Sequence, residues 1–233
     1  MREVIVIQLG TRGTNVGSSF WRQIAAEHGL EGNSFIQDDI KHHNGHKWRC
    51  FFYENTETRI RPRVVVIDLD ASNDNNTAPS SQYHDHFDYD SDCTFVSHSE
   101  INQLSSEEIS EIESKILKQV ERCDCLSQCL FIRDSTEITG VLLSNILLEN
   151  IRLSRKYIYD FNIAADRTSS DQQLLNTILS YDLFNEYNPM RFIYQDTAIR
   201  RQINSYHARD RDCKLDLNRL VAKTLSRFTA SER

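Results

Sequence analysis

The chain has 233 residues, 39% of them hydrophobic and 26% charged, a balance that suits a soluble globular protein of one large domain or two small ones. It holds no run of about 18 apolar residues, so neither a membrane-spanning helix nor membrane insertion is expected. The net charge of −7, with a basic excess confined to the C-terminal end and no interleaved aromatics, argues against nucleic-acid binding.

Charge and glycine are both unevenly spread. Asp68 to Ser114 carries twelve acidic residues and no Lys or Arg, whereas Arg200 to Arg233 carries nine basic residues against four acidic. Six of the seven glycines lie in the first 45 positions, Gly140 being the exception. Val4–Leu9 reads as a short strand, broken by Gly10 too soon for a secretory leader. The loop Gly10–Gly17 follows, and Phe20, Trp21, Ile24 and Ala25 mark one face of an amphipathic helix. Strand-to-helix turns rich in glycine let backbone N–H groups meet an anion at a helix N-terminus.

Phe51–Tyr53 and Val64–Leu69 are the next strands; the second is continuously apolar, as a strand buried on both faces must be. Residues 71–104 are poor in apolar side chains, and a mobile acidic loop is expected there. Within it, Asp88, Asp90 and Asp92 are spaced like the start of a calcium loop but lack its glycine and glutamate, and with His84 and His86 they read as solvated loop. Ser105–Glu108 signals a helix start, with Ile109, Ile112, Ile116, Leu117 and Val120 as its apolar stripe. The spacing of Cys123, Cys125 and Cys129 lacks paired zinc knuckles, so free, buried thiols are expected.

Cys129–Ile132, Tyr157–Ile163 and Met190–Tyr194 read as strands. Helices are expected at Ile138–Ile151, Ser170–Tyr181, Thr197–Tyr206 and Asp216–Thr229. This alternation predicts an α/β fold, a Rossmann-like parallel sheet with helices on both faces, in one domain over residues 1–233.

Several segments carry a more specific signal. MREVIVIQLG at the start, Phe20-Trp21, Glu27–Leu30 (EHGL), Pro62–Leu69 (PRVVVIDL), Cys123–Leu126 (CDCL) and Asp216–Val221 (DLNRLV) follow in order. Together they resemble the N-terminal nucleotide-binding domain of the tubulins, beta-tubulin most of all, and the last of them resembles the start of the family's core helix. The resemblance implies a GTP site with magnesium. Gly10, Thr11, Arg12 and Asn15 would meet phosphates, Asp68 and Asp70 would stand near magnesium and phosphates, and Asp196 and Asn218 would meet base and sugar.

The chain departs from that pattern where the phosphates should be wrapped. Tubulins place glycines with Thr and Ser after the strand that ends near Ile132. Here the run is Arg133–Gly140, with one glycine and with Asp134 and Glu137 bringing negative charge. Two like charges about 4 Å apart repel by roughly 4 kcal/mol at an effective dielectric near 20. The family's glycine–asparagine loop has no counterpart in Ser97–Leu104, and its base-stacking aromatic is replaced around Cys213-Lys214. The cradle therefore reads as broken, with GTP binding weak or absent and GTPase activity lost.

The resemblance implies a divergent, truncated tubulin-like protein. It would be cytoplasmic and cytoskeleton-associated, acting as a structural or interaction module on tubulin, another cytoskeletal protein or itself. The apolar stripe of the last helix, Leu225 and Phe228 above all, with Arg219, Lys223 and Arg227 on its rim, is expected to be the interaction surface, because the second half of a tubulin is not in the chain. Two alternatives stay open: a GTP-binding tubulin-family protein with a remodelled pocket, and a misato-type tubulin relative in mitochondrial organisation.

Overall fold

A computed structural model describes residues 2–30, 47–56, 59–69, 89, 91–97, 104–138, 140–141, 147, 157–185, 190–207 and 217–232. The acidic loop at 71–104 and the helix Ile138–Ile151 fall largely outside these residues. Asp70, His84, His86, Cys213 and Lys214 fall wholly outside them.

Strand β1 (Glu3–Leu9) is buried along its whole length and forms the centre of the sheet. It pairs in parallel with β4 (Val64–Leu69) on one side and β6 (Leu126–Asp134) on the other. Beyond β4 lies β5 (Thr94–Ser97); beyond β6 lie β7 (Tyr157–Ile163) and β8 (Met190–Tyr194). The order β5-β4-β1-β6-β7-β8, all parallel, is the expected α/β architecture. The chain builds outward from β1 to one edge, then returns to start again at β6. The C-terminal ends of β1 and β6 therefore flank the point where winding reverses, the place where open α/β sheets bind ligands. Phe51–Tyr53, expected as a strand of the parallel sheet, leads instead into a separate antiparallel hairpin of β2 (Phe52–Thr56) and β3 (Arg59–Pro62).

Alternation along β1 divides the core in two, because successive side chains point to opposite faces. Val4 and Val6 join helix α1 (Gly10–Glu27), the hairpin and helix α5 (Leu217–Phe228); Ile5, Ile7 and Leu9 join helix α2 (Ser106–Glu121). On α1 the expected face is the buried one. Phe20 meets Phe51, and Trp21 meets Phe51 and Phe52, edge-on at 5.5–6.2 Å between ring centres. Helix α2 opens with a capping box between Ser105 and Glu108, as its first turn predicts. Its stripe is narrower than expected: Ile112 and Ile116 are buried, Leu117 is exposed, and buried Gln119 donates to Cys93 Sγ at 2.9 Å.

Helix α3 (Asp171–Asn185) runs against the amphipathic rule. It buries Asn176, Thr177 and Ser180 and exposes Leu174, Leu175, Ile178 and Leu179, Ile178 by 63%. The cause lies beneath it. Arg133, fully buried, donates to Asp160 from Nε at 2.7 Å and from Nη2 at 2.8 Å, and also to Ser180 Oγ. Thr177 Oγ1 takes the Ala165 amide at 3.1 Å, and Asn176 donates to the Thr136 carbonyl at 2.9 Å. A buried guanidinium and buried backbone groups at the strand ends need polar partners, and α3 supplies them at the cost of turning its leucines outward.

The last helix corrects an expectation. Leu225 is fully buried against α1, and Phe228 is half-buried in an aromatic group with Tyr159, Phe161 and Phe192 at 4.4–5.7 Å. Both expected interaction residues are taken up by the chain's own core. The face of α5 turned to solvent carries Arg219, Lys223 and Arg227.

Candidate functional site

Helix α1 starts directly from the C-terminal end of β1, with Leu9 as an N-cap that has no side-chain oxygen to offer. Its first turn holds no acidic residue. Free N–H groups and the positive end of the dipole make such a turn an anion site by default. Gly10 enters it at φ +74°, a left-handed backbone conformation that glycine adopts without strain. Gly13 serves packing rather than a ligand: a Cβ there would lie 2.6 Å from the Ile132 carbonyl oxygen of β6.

Four of the candidate residues are tied together by side chains at this end of the sheet. Thr11 Oγ1 donates to Asp68 Oδ1 at 3.2 Å. Arg12 reaches Asp134 at the end of β6, at 3.0 Å, and also pairs with Asp196, the first residue of α4 (Asp196–His207). Asn15 and Asn218 are half-buried on α1 and α5, and Asp70 lies outside the described residues.

Asp134 is fully buried and is held on its other oxygen by the Thr136 amide at 2.8 Å and the Thr136 hydroxyl at 2.7 Å. Glu137 follows one turn later. Its Oε2 lies 3.0 Å from where a Cβ on Gly10 would stand, so the carboxyl rests against the first residue of α1. Burial, together with the neighbouring Asp134 and Asp68 and only partly offset by Arg12, pushes the Glu137 carboxyl up to about 7. Three carboxyl groups thus share one guanidinium around the turn that would hold an incoming anion. These residues do not fit a phosphate chain: the space beside Gly10 is filled by an acid, and the cation is already engaged.

Beside this group a polar cavity of about 270 Å³ opens between β6, β7 and α4, lined by Arg12, Thr136, Asp166, Thr168, Asp196 and Arg200 among others. Asp166 organises its floor. Its carboxylate accepts the Thr168 amide at 2.7 Å, the Thr168 hydroxyl at 2.6 Å and the Thr197 amide at 3.3 Å, and these bonds hold it well below the usual carboxylate range. The sequence reading missed Asp166, although Asp-Arg-Thr-Ser directly after a strand is an Asx-turn signal. It missed the Arg133–Asp160 pair as well, for which no local pattern exists. The described cysteines are free; Cys50, Cys93 and Cys129 are buried as expected, whereas Cys125 is exposed. Burial pushes the half-buried Cys123 thiol up to about 11, which leaves it unreactive. No group of acids, histidines and cysteines that could hold a metal ion occurs among the described residues.

The comparisons agree with this architecture. A model of the Tubulin/FtsZ family, GTPase domain, matches residues 3–204. The chain is 26% identical to the tubulin alpha-3 chain of Saccharomyces cerevisiae, 28% identical to the nucleomorph tubulin alpha chain of Guillardia theta, and 25% identical to the tubulin beta-2 chain of Emericella nidulans. Each match takes in 100% of this chain but only 54–55% of the relative, so the chain spans about half the length of the curated relatives it matches. Alpha and beta chains match at similar identity. With a family match over residues 3–204 and a six-stranded parallel sheet, the chain belongs to the Tubulin/FtsZ family, and the matched residues are its GTPase domain.

Proposed function

We propose that this tubulin-family domain works as an interaction module of the microtubule cytoskeleton, in the cytoplasm, and that its nucleotide site no longer holds GTP and magnesium in the family's manner. One observation supports this above others: Asp134 and Glu137 surround the first turn of α1, and Arg12 is shared between Asp134 and Asp196. A polyphosphate placed there would meet carboxylates at close range and would have to displace Arg12 from its partners. Asp68, the magnesium-side candidate, instead accepts from Thr11.

A tubulin, another cytoskeletal protein or a second copy is the partner class that fits such a role. With Leu225 and Phe228 in the core, an association would use other residues, and the exposed leucines of α3 are the largest apolar group available on the described surface. Calorimetric titration of the full chain with GTP and magnesium tests the reading. A dissociation constant weaker than about 100 μM is expected; one below about 1 μM, some −8 kcal/mol, would overturn it in favour of a GTP-binding protein with a remodelled pocket.

A further inference from the structure

We propose that Glu137 is an autoinhibitory latch, a side chain of this protein that occupies the anion position at the N-terminus of α1 and can be removed to reopen it. The proposal rests on the reading above and assigns the block to one residue.

Three observations carry it. First, the first turn of α1 lacks both an acidic residue and a capping side chain, and the carboxyl that rests against its first residue, Gly10, is that of Glu137. Second, the surroundings of Glu137 do not hold it as a structural acid is held. Asp166, in the neighbouring loop, takes two amides and two hydroxyls, whereas Glu137 faces Asp134 and Asp68 with Arg12 alone in compensation. An acid kept among acids contributes little to holding its loop, so removing it leaves the fold standing. Third, what lies beneath Glu137 is still built to receive an anion. Gly10 retains its left-handed turn, Arg12, now engaged by Asp134 and Asp196, stands on the first turn of the same helix, and the loop 134–137 is fixed from below by Thr136 and Asn176 rather than by Glu137. Asp134 is the lesser obstacle, because its carboxylate is already paired with Arg12 and bonded to Thr136.

The test uses the full chain and two variants, Glu137→Ala and Glu137→Gln, titrated calorimetrically with GTP–magnesium and separately with inorganic phosphate, after circular dichroism has established that each is folded. A rise in affinity of about tenfold or more for either probe in Glu137→Ala supports the latch. If Glu137→Gln rises as well, the block is mainly charge; if only the alanine variant rises, it is mainly bulk, and the latch stands in both cases. Weak binding by the wild type with no gain in either folded variant overturns the latch and leaves the proposed function intact. Tight binding by the wild type overturns both.

Discussion

At the N-terminal ends of β1, β4 and β6, the buried Glu3 carboxylate meets Arg63 at 2.6 Å and the Cys125 amide at 2.6 Å. At the C-terminal ends of the same strands, one guanidinium, that of Arg12, serves Asp134, Asp196 and Glu137, and Asp68 adds its charge beside Glu137. The first network is closed. Arg63 also donates to the carbonyls of Arg122 at 2.9 Å and Arg49 at 3.3 Å, so the charges that burial would penalise are bonded. The second is open, with more negative than positive charge and one carboxyl pushed towards neutrality. Glu3, Arg63 and Cys125 belong to three of the motifs that carry the resemblance to tubulins. Those three residues therefore report on how the sheet is pinned at the end away from the site. A chain can keep them all and still rebuild the end where a ligand would bind.

The sharpest way to break this comparison is Arg63→Ala. It would leave Glu3 buried without its cation, and a loss of about 3–5 kcal/mol in urea unfolding is expected. A loss under about 1 kcal/mol would mean that the N-terminal network is not what pins the sheet. Arg12→Ala, at the other end, should cost less, about 1–2 kcal/mol. Arg12 is 36% exposed, so water can replace part of what it gives, and Thr136 keeps one oxygen of Asp134 bonded. If the two variants cost the same, the contrast between a closed and an open network fails.

How much of this was legible in the sequence follows from the range of each interaction. The strands β1, β4, β7 and β8 and the capped start of α2 could be read because apolar runs and capping residues are local signals. The loss of glycine and the acids after β6 could also be read. The position of Glu137 over Gly10 could not, since it depends on how β1 and β6 lie side by side. Leu225 and Phe228 were misplaced for a related reason. A stripe on a helix says that one face is apolar, not which body covers it, and here α1 and the Phe161–Phe192 stack do.

Titration sharpens the comparison further. An acid whose carboxyl sits at about 7 in the fold, against an ordinary 4.5, binds its proton more tightly when folded than when unfolded. Its contribution therefore favours the fold at the acid end and fades as pH rises from about 4.5 to about 7. Asp166 is displaced the other way, so it is ionised in both states across that window and adds no slope there; its support is lost only in stronger acid. Urea midpoints of the wild type and Glu137→Gln, compared at pH 5 and pH 7.5, check this. The wild type should lose more stability than the variant over that interval, and equal losses would show that Glu137 is not the acid held near neutrality.

The smallest effect is expected on α3, and it tests why that helix is inside out. Arg133 stands at the end of β6, next to the candidate site, and its buried charge is met by Asp160 and by Ser180 on the inner face of α3. If that demand for polar partners sets the helix's rotation, its outer leucines hold nothing within this chain. Ile178→Gln, at a position 63% exposed, should then change unfolding free energy by less than about 0.5 kcal/mol. Ser180→Val, aimed inward, should cost more, about 1–3 kcal/mol, because it removes a hydroxyl to which the buried guanidinium donates. The reverse ranking would mean that the leucine face is packed in the folded protein and that α3 is oriented by apolar contacts after all. In the expected ranking, the pull of the buried Arg133 is what puts an apolar helix face on the surface beside the candidate site.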